Sequence, residues 1–166
     1  MRGWLRQILR ERIAGEGRRE DLATVLYRRR PPPVLSPARQ RAALADIARR
    51  GVELQLDADR VVVVCGQPGP VAGWIGRDGA EVLLAYYRLR EELAAVAVDA
   101  PLAEVRDRLD RQLYFHLWML REALQFALGA APTERCEEVR ARLTGLGRTA
   151  DELRAIRVEL AAEPGA

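Results

Sequence analysis

The chain has 166 residues, 49% of them apolar, so it is large enough to enclose a hydrophobic core of its own. All 27 of its basic residues are arginine and Ser36 is its single serine, which excludes a phosphate-loop lysine, a Schiff-base lysine and most serine nucleophiles. The net charge of +3 is unevenly distributed, because residues 1–41 hold eleven arginines and four acids, a local net charge of +7.

Residues 1–35 predict a basic amphipathic helix followed by a proline-rich linker. Trp4, Leu5 and Ile8 begin an apolar stripe at helical spacing, and Pro31–Pro33 cannot continue a helix because proline lacks an N–H donor. Arginines beside aromatic rings can contact phosphates and stack on bases. A solvated basic face is the alternative interpretation of this segment. The candidate nucleic-acid-binding residues are Arg2, Arg6, Arg10, Arg18, Arg19, Arg28, Arg29, Arg30, Trp4 and Tyr27.

Residues 36–98 form the second predicted domain, which begins with a helix. Ser36 supplies an oxygen that can cap the helix, and Pro37 suits the first helical position, where an N–H has no intrahelical partner in any case. Gly51 is expected to end the helix, since glycine readily adopts a positive φ.

A β-hairpin is predicted directly after this helix, at residues 52–64. Apolar and polar residues alternate in the first strand, and Asp57 and Asp59 suit a tight turn. Val61–Val64 is a β-branched run, typical of a strand that is packed on at least one face. The glycine-rich segment that follows is expected to place Trp74 in the core, and a helix is predicted after it at about residues 80–98.

Residues 99–166 predict a C-terminal helical hairpin or three-helix unit. Its first helix begins near Pro101 and is about 27 residues, or roughly 40 Å, long. Apolar residues occupy both sides of this helix at residues 113–120, so that half is expected to be buried all round. A helix at residues 133–143 and a last helix, opened by a capping box at Thr149–Glu152, follow. The fold class predicted for the whole chain is α+β and predominantly helical.

Two runs between residues 43 and 96 show a specific order: a leucine-bearing helix, an apolar alternation, an acidic turn, a second strand and a charged helix with Glu92-Leu93 near its end. They read ALADIARRGVELQLDADRVVVV and AYYRLREELAAV. This order resembles the N-terminal docking domain of the TubC type known from polyketide and nonribosomal peptide megasynthases. The resemblance implies an αββαα fold, often dimeric, whose exposed strand binds a peptide of another protein by β-augmentation. It implies a partner-binding edge at Arg60, Val61, Val62, Val63 and Val64.

Residues that could carry catalysis or bind a metal are few and scattered. His116, the single histidine, is predicted to be a hydrogen-bonded core residue, and Cys65 is predicted to be inert packing. Residues 66–79 hold several glycines but neither of the two common phosphate-loop motifs, G-x-G-x-x-G and G-x-x-x-x-G-K. The sequence therefore predicts a protein that is not an enzyme, with no catalytic residue, no cofactor and no metal.

Two functions follow as hypotheses. The first is a docking or adaptor protein that binds another protein, or a second copy of itself, through the hairpin edge and the long helix. The alternative is an accessory subunit of a larger complex that binds nucleic acid through residues 1–41. Cysteines without framework spacing, together with the lack of a long apolar run, predict a cytoplasmic protein without a membrane partner.

Overall fold

The computed structural model describes residues 35–127, 138 and 140–162, and these residues are helical without any strand. Each of the five helices with defined bounds carries an apolar stripe that faces a shared interior. The helices are α1 (Pro37–Glu53), α2 (Gln55–Gly66), α3 (Gly73–Ala95), α4 (Ala100–Ala127) and α5 (Gly147–Ala161). The predicted α+β class is therefore wrong for the described part of the chain. The predicted helix at residues 133–143 lies largely outside it.

The start of α1 agrees with the prediction from sequence. The Ser36 side chain accepts a hydrogen bond from the Arg39 backbone N–H, and Pro37 is the first helical residue. One turn later, the buried Gln40 side chain accepts a hydrogen bond from the Asp99 backbone N–H and donates one to the Asp99 carboxylate. These bonds tie the start of α1 to the connection between α3 and α4.

The predicted β-hairpin at residues 52–64 is wrong, because this segment forms the end of α1 and most of α2. Its buried residues, Gln55, Ala58, Val61 and Val62, recur at intervals of three and four, as a helix requires. The low helix propensity of valine destabilises a helix by less than about 1 kcal/mol per residue relative to alanine. Burying its side chain stabilises the fold by about 1.5–3 kcal/mol. Packing therefore overrides the β preference, and the αββαα fold implied by the resemblance is not adopted here.

Gly51 does not end α1 as predicted. Helical hydrogen bonding continues through the junction with α2, where the Leu54 N–H donates to the Arg50 carbonyl and the Ala58 N–H donates to the Leu54 carbonyl. A Cβ at Gly51 would lie 3.2 Å from a methyl of Leu113 and 3.3 Å from one of Leu153. The glycine allows close packing of α1 on its neighbours and does not serve a turn.

The predicted long helix is confirmed as α4, whose 28 residues span about 42 Å. It contacts each of the other four described helices and forms an antiparallel pair with α3, to which residues 96–99 connect it. Leu109, Leu113 and Leu120 are fully buried along its inner side. At the start of α3, Ile75 is buried and Trp74 is 43% exposed, so the predicted burial of Trp74 is wrong. The core is therefore arranged around α4.

Helix α5 begins two residues before the predicted capping box, which is therefore also wrong. Its first residue is Gly147, and no side chain of the preceding residue caps it. Instead, the Asp59 carboxylate of α2 accepts a hydrogen bond from the Leu146 N–H at 2.8 Å. At the other end, the Arg41 guanidinium donates to three backbone carbonyls of residues 159–162. Tertiary hydrogen bonds from α2 and α1 thus anchor the two ends of α5.

Candidate functional site

The predicted partner-binding residues lie in α2, where there is no strand edge. The first two valines are buried, the last two are half-buried, and Arg60 is exposed. The Arg60 guanidinium carbon lies 4.6 Å from the ring centroid of Trp74, so this side chain packs on the protein's own surface. A peptide cannot join these residues by strand addition, because backbone groups inside a helix bond to each other. The residues concerned are Arg60, Val61, Val62, Val63 and Val64.

The predicted nucleic-acid-binding residues all precede residue 35 and lie outside the described part of the chain. Two later arginines of the basic segment, Arg39 and Arg41, belong to α1, and the second of them binds the end of α5. The hypothesis of a phosphate-binding arm therefore stays a prediction. Its residues are Arg2, Arg6, Arg10, Arg18, Arg19, Arg28, Arg29, Arg30, Trp4 and Tyr27.

A small polar cluster lies inside the core, centred on His116. Its Nδ1 lies 2.7 Å from the carbonyl oxygen of Gln112, which can only accept, so Nδ1 carries the proton. The amide nitrogen of Gln55 lies 3.4 Å from Nε2 of His116 and donates to the Ala150 carbonyl at 3.0 Å. Burial lowers the pKa of His116 and favours the neutral ring. The prediction of a hydrogen-bonded core histidine is confirmed.

Tyr86 lies beside this cluster, with its ring centroid 5.1 Å from that of His116, and its buried hydroxyl donates to the Gly51 carbonyl at 2.8 Å. We expect Tyr86→Phe to lower the free energy of unfolding by about 1 kcal/mol, because the variant loses one buried hydrogen bond and keeps the ring. Urea unfolding measures this loss, provided that the dependence of the free energy of unfolding on urea concentration has the same slope in the variant and the parent chain. Tyr87→Phe is the matched control, since Tyr87 is exposed, and an equal loss in both variants would contradict the assignment.

Among the described residues, the cysteine is inaccessible and the possible metal ligands are not clustered. Cys65 is fully buried, and burial raises the pKa of its thiol to about 11, so it has little thiolate character at neutral pH. Within the described residues, no three His, Cys, Asp or Glu side chains are arranged to hold a metal ion. None of the helices described is both long and apolar enough to traverse a bilayer.

The most distinctive surface of the described residues lies on the solvent side of α3 and α4. We call it the aromatic face and define it by Leu84, Tyr87, Tyr114 and Trp118, whose exposed fractions are 48%, 53%, 54% and 40%. On each helix the two residues are three or four positions apart and so lie on the same side. The face accounts for four of the seven large hydrophobic side chains that the described residues expose.

Arg90 connects the two helices at this face. Its guanidinium forms two hydrogen bonds with the Asp110 carboxylate, at 2.8 and 3.1 Å, and its central carbon lies 5.1 Å from the ring centroid of Tyr114. The Asp110 carboxylate raises the pKa of Arg90, and Tyr87 and Tyr114 also lie within its electrostatic range. The forked salt bridge holds Arg90 in place, and its contact with the ring restricts the position of Tyr114.

The sequence interpretation missed this face because it predicted that residues 113–120 are buried all round. The structure corrects that prediction: Leu113, His116 and Leu120 face inward, whereas Tyr114 and Trp118 point to solvent. One signal in the sequence could have indicated the difference. The outward residues are tyrosine and tryptophan, which are amphipathic and common at interfaces, whereas the inward aliphatic residues are typical of a core.

No protein-family model, no curated protein and no solved structure matches the chain. The chemistry of the described residues is therefore the basis on which a function is proposed.

Proposed function

We propose that the chain is a non-enzymatic protein-interaction module and that its partner, a polypeptide, binds the aromatic face of α3 and α4. The observation that carries this proposal is the exposure of Tyr87, Tyr114 and Trp118 on one pair of helices. Tyrosine, tryptophan and arginine are the residue types most enriched at the energetic centres of protein interfaces. The face combines all three, since Arg90 lies over Tyr114.

The aromatic face suits binding because it offers a large contact area for a small loss of side-chain conformational entropy. Tyrosine and tryptophan offer large, rigid contact areas with only two side-chain torsions to fix, so a partner gains apolar contact at low entropic cost. Arg90 is already held by Asp110, which reduces the ordering needed on binding. The adaptor hypothesis thus keeps the long helix, α4, as part of its binding surface and gives up the hairpin edge.

A nucleic-acid-binding role for residues 1–41 remains the alternative, because this segment has a net charge of +7. It predicts binding to DNA or RNA that weakens steeply with added salt, since each neutralised phosphate releases a counterion. Deleting residues 1–35 should abolish such binding. If the deletion leaves nucleic-acid binding unchanged, the arm has no such role.

The adaptor proposal is tested by photo-crosslinking in cells of the source organism. A photoreactive amino acid replaces Tyr87, which lies on the aromatic face, or Glu81, an exposed residue of α3 in the cleft beside Trp74. We expect a crosslinked polypeptide, identified by mass spectrometry, from position 87 and none from position 81. No adduct from position 87, or equal adducts from both positions, would overturn the proposal.

A binding titration with the purified crosslinked polypeptide then measures the contribution of the face. We expect Trp118→Ala to raise the dissociation constant at least about tenfold, as truncation of an interface tryptophan does. Trp74→Ala is the matched control, because Trp74 is the same residue type with a similar exposed fraction, 43% against 40%. Equal weakening by both variants would contradict a specific role for the aromatic face.

A further inference from the structure

The outward side of α4 carries a regular stripe of six exposed residues. Their spacing alternates between three and four, so they follow one line along the helix, opposite the buried leucines. Tyr114 and Trp118 belong to the stripe as well as to the aromatic face. The stripe consists of Glu104, Asp107, Arg111, Tyr114, Trp118 and Arg121.

Charge is distributed unequally along this stripe. Glu104 and Asp107 lie in its N-terminal half, whereas Arg111 and Arg121 lie on either side of the two aromatic residues. The stripe acids and arginines contact only sequence neighbours or solvent at short range: Asp107 is 3.5 Å from Arg106, and Arg121 is 3.1 Å from Glu122. Such exposed pairs contribute little, so a partner can exchange them at low cost.

This pattern is complementary to itself when two copies of α4 run antiparallel. If the twofold axis passes between Arg111 and Tyr114, Glu104 of one copy faces Arg121 of the second copy, Asp107 faces Trp118, and Arg111 faces Tyr114. The Glu104–Arg121 contact is an ion pair, and the Asp107 carboxylate can accept a hydrogen bond from the indole N–H of Trp118. The Arg111–Tyr114 contact is a cation–π contact on a ring that Arg90 already holds in place. A parallel twofold pairing would instead place each charged residue against the same residue of the second copy, which is repulsive at all four charged positions.

We infer that the polypeptide bound by the aromatic face is a second copy of this chain, paired antiparallel through the outward stripe of α4. The inference rests on the proposed function and specifies its partner. The stripe from Glu104 to Arg121 covers about 26 Å of helix, and Leu84 and Tyr87 of α3 extend the apolar area beside it. In this register the same stripe forms both sides of the interface, and its charged ends are complementary.

Charge reversal in the full chain tests this register. Sedimentation velocity over a wide concentration range measures the monomer–dimer equilibrium. We expect Glu104→Arg alone, or Arg121→Glu alone, to weaken dimerisation at least about tenfold, because each creates two like-charge contacts across the twofold axis. The double variant, Glu104→Arg with Arg121→Glu, should recover dimerisation to within about threefold of the parent chain, since both ion pairs return with reversed sign.

Arg148→Glu is the matched control, because Arg148 is an exposed arginine of α5 outside the stripe, and it should leave dimerisation unchanged. Helical content by circular dichroism checks that every variant folds. A monomer at all concentrations overturns the inference, as does a dimer that is insensitive to the single reversals or not restored by the double one. If position 87 crosslinks to a different protein while the chain stays monomeric, this inference fails and the proposed function stands.

Discussion

Replacing Gly66 with alanine is expected to destabilise the fold by about 3 kcal/mol, although glycine-to-alanine changes in helices usually stabilise a protein. Gly66 is the last residue of α2, where the chain passes against the segment that leads into α5. A Cβ at this position would lie 2.2 Å from the backbone oxygen of Leu143. Because a backbone oxygen cannot rotate away, either α2 or this segment must move, and buried contacts of Leu143 are lost.

Gly73→Ala is the matched control for this prediction. Gly73 begins α3, and a Cβ there would meet nothing within 4 Å, so the free energy of unfolding should stay the same or rise by less than about 1 kcal/mol. Chemical denaturation of both variants and the parent chain measures the two effects. If Gly66→Ala is as stable as the parent, the close approach of α2 to Leu143 is absent in solution.

Several elements were predictable from sequence because one local rule decides each of them. The start of α1 depends on a serine oxygen that can cap the helix and on the proline that follows it, and the structure shows the expected cap at Ser36. The length of α4 follows from uninterrupted apolar spacing between Pro101 and Leu124, with no glycine to break the helix. In both cases, tertiary contacts reinforce what the local pattern favours.

The hairpin prediction failed because two local patterns compete within residues 52–64. The alternation before Asp57 fits a strand, whereas Gln55, Ala58 and Val62 also fit the inner side of a helix. Only tertiary packing decides between these two patterns. The neighbouring helices bury the residues that lie on one side of α2 when the segment is helical. The Asp59 carboxylate, expected in a turn, instead holds the Leu146 N–H at the start of α5, a contact across 87 positions of sequence.

The aromatic face was unpredictable for a related reason. Periodicity shows that α4 has apolar groups on more than one side, but it does not show how many of those sides meet other parts of the chain. The described helices cover the side with Leu113 and leave Tyr114 and Trp118 exposed. A large aromatic side chain that stays about half exposed can be contacted by a partner, and the sequence alone does not distinguish it from a core residue.

Acidification from pH 7 to pH 5 is expected to lower the free energy of unfolding through His116, by at most about 2 kcal/mol. Burial lowers the pKa of the folded imidazole below its ordinary value of 6.5, whereas the unfolded chain keeps that ordinary value. As the pH falls through 6.5, the unfolded state therefore takes up a proton that the folded state does not. The stabilisation is complete above this pH and decreases by at most about 1.4 kcal/mol per pH unit below it.

The surroundings of His116 explain why the folded state resists protonation. A proton on Nε2 would face the amide nitrogen of Gln55, which is itself a donor, and turning that amide would break its bond to the Ala150 carbonyl. The positive charge of Arg154 lowers the pKa of His116 further. The Tyr86 ring covers the imidazole from α3 and offers no compensating charge, because a tyrosine hydroxyl is neutral between pH 5 and pH 7 and burial raises its pKa further.

His116→Gln separates this effect from the rest of the molecule, because glutamine retains hydrogen-bonding capacity and does not titrate. We expect the free energy of unfolding of the variant to be nearly flat between pH 7 and pH 5, whatever its value at neutral pH. Carboxylates such as Asp46 and Glu92, whose pKa values are lowered by hydrogen bonds from Arg49 and Arg50, lose their stabilising effect only at lower pH. An equal slope in parent and variant would place the source of the pH dependence elsewhere.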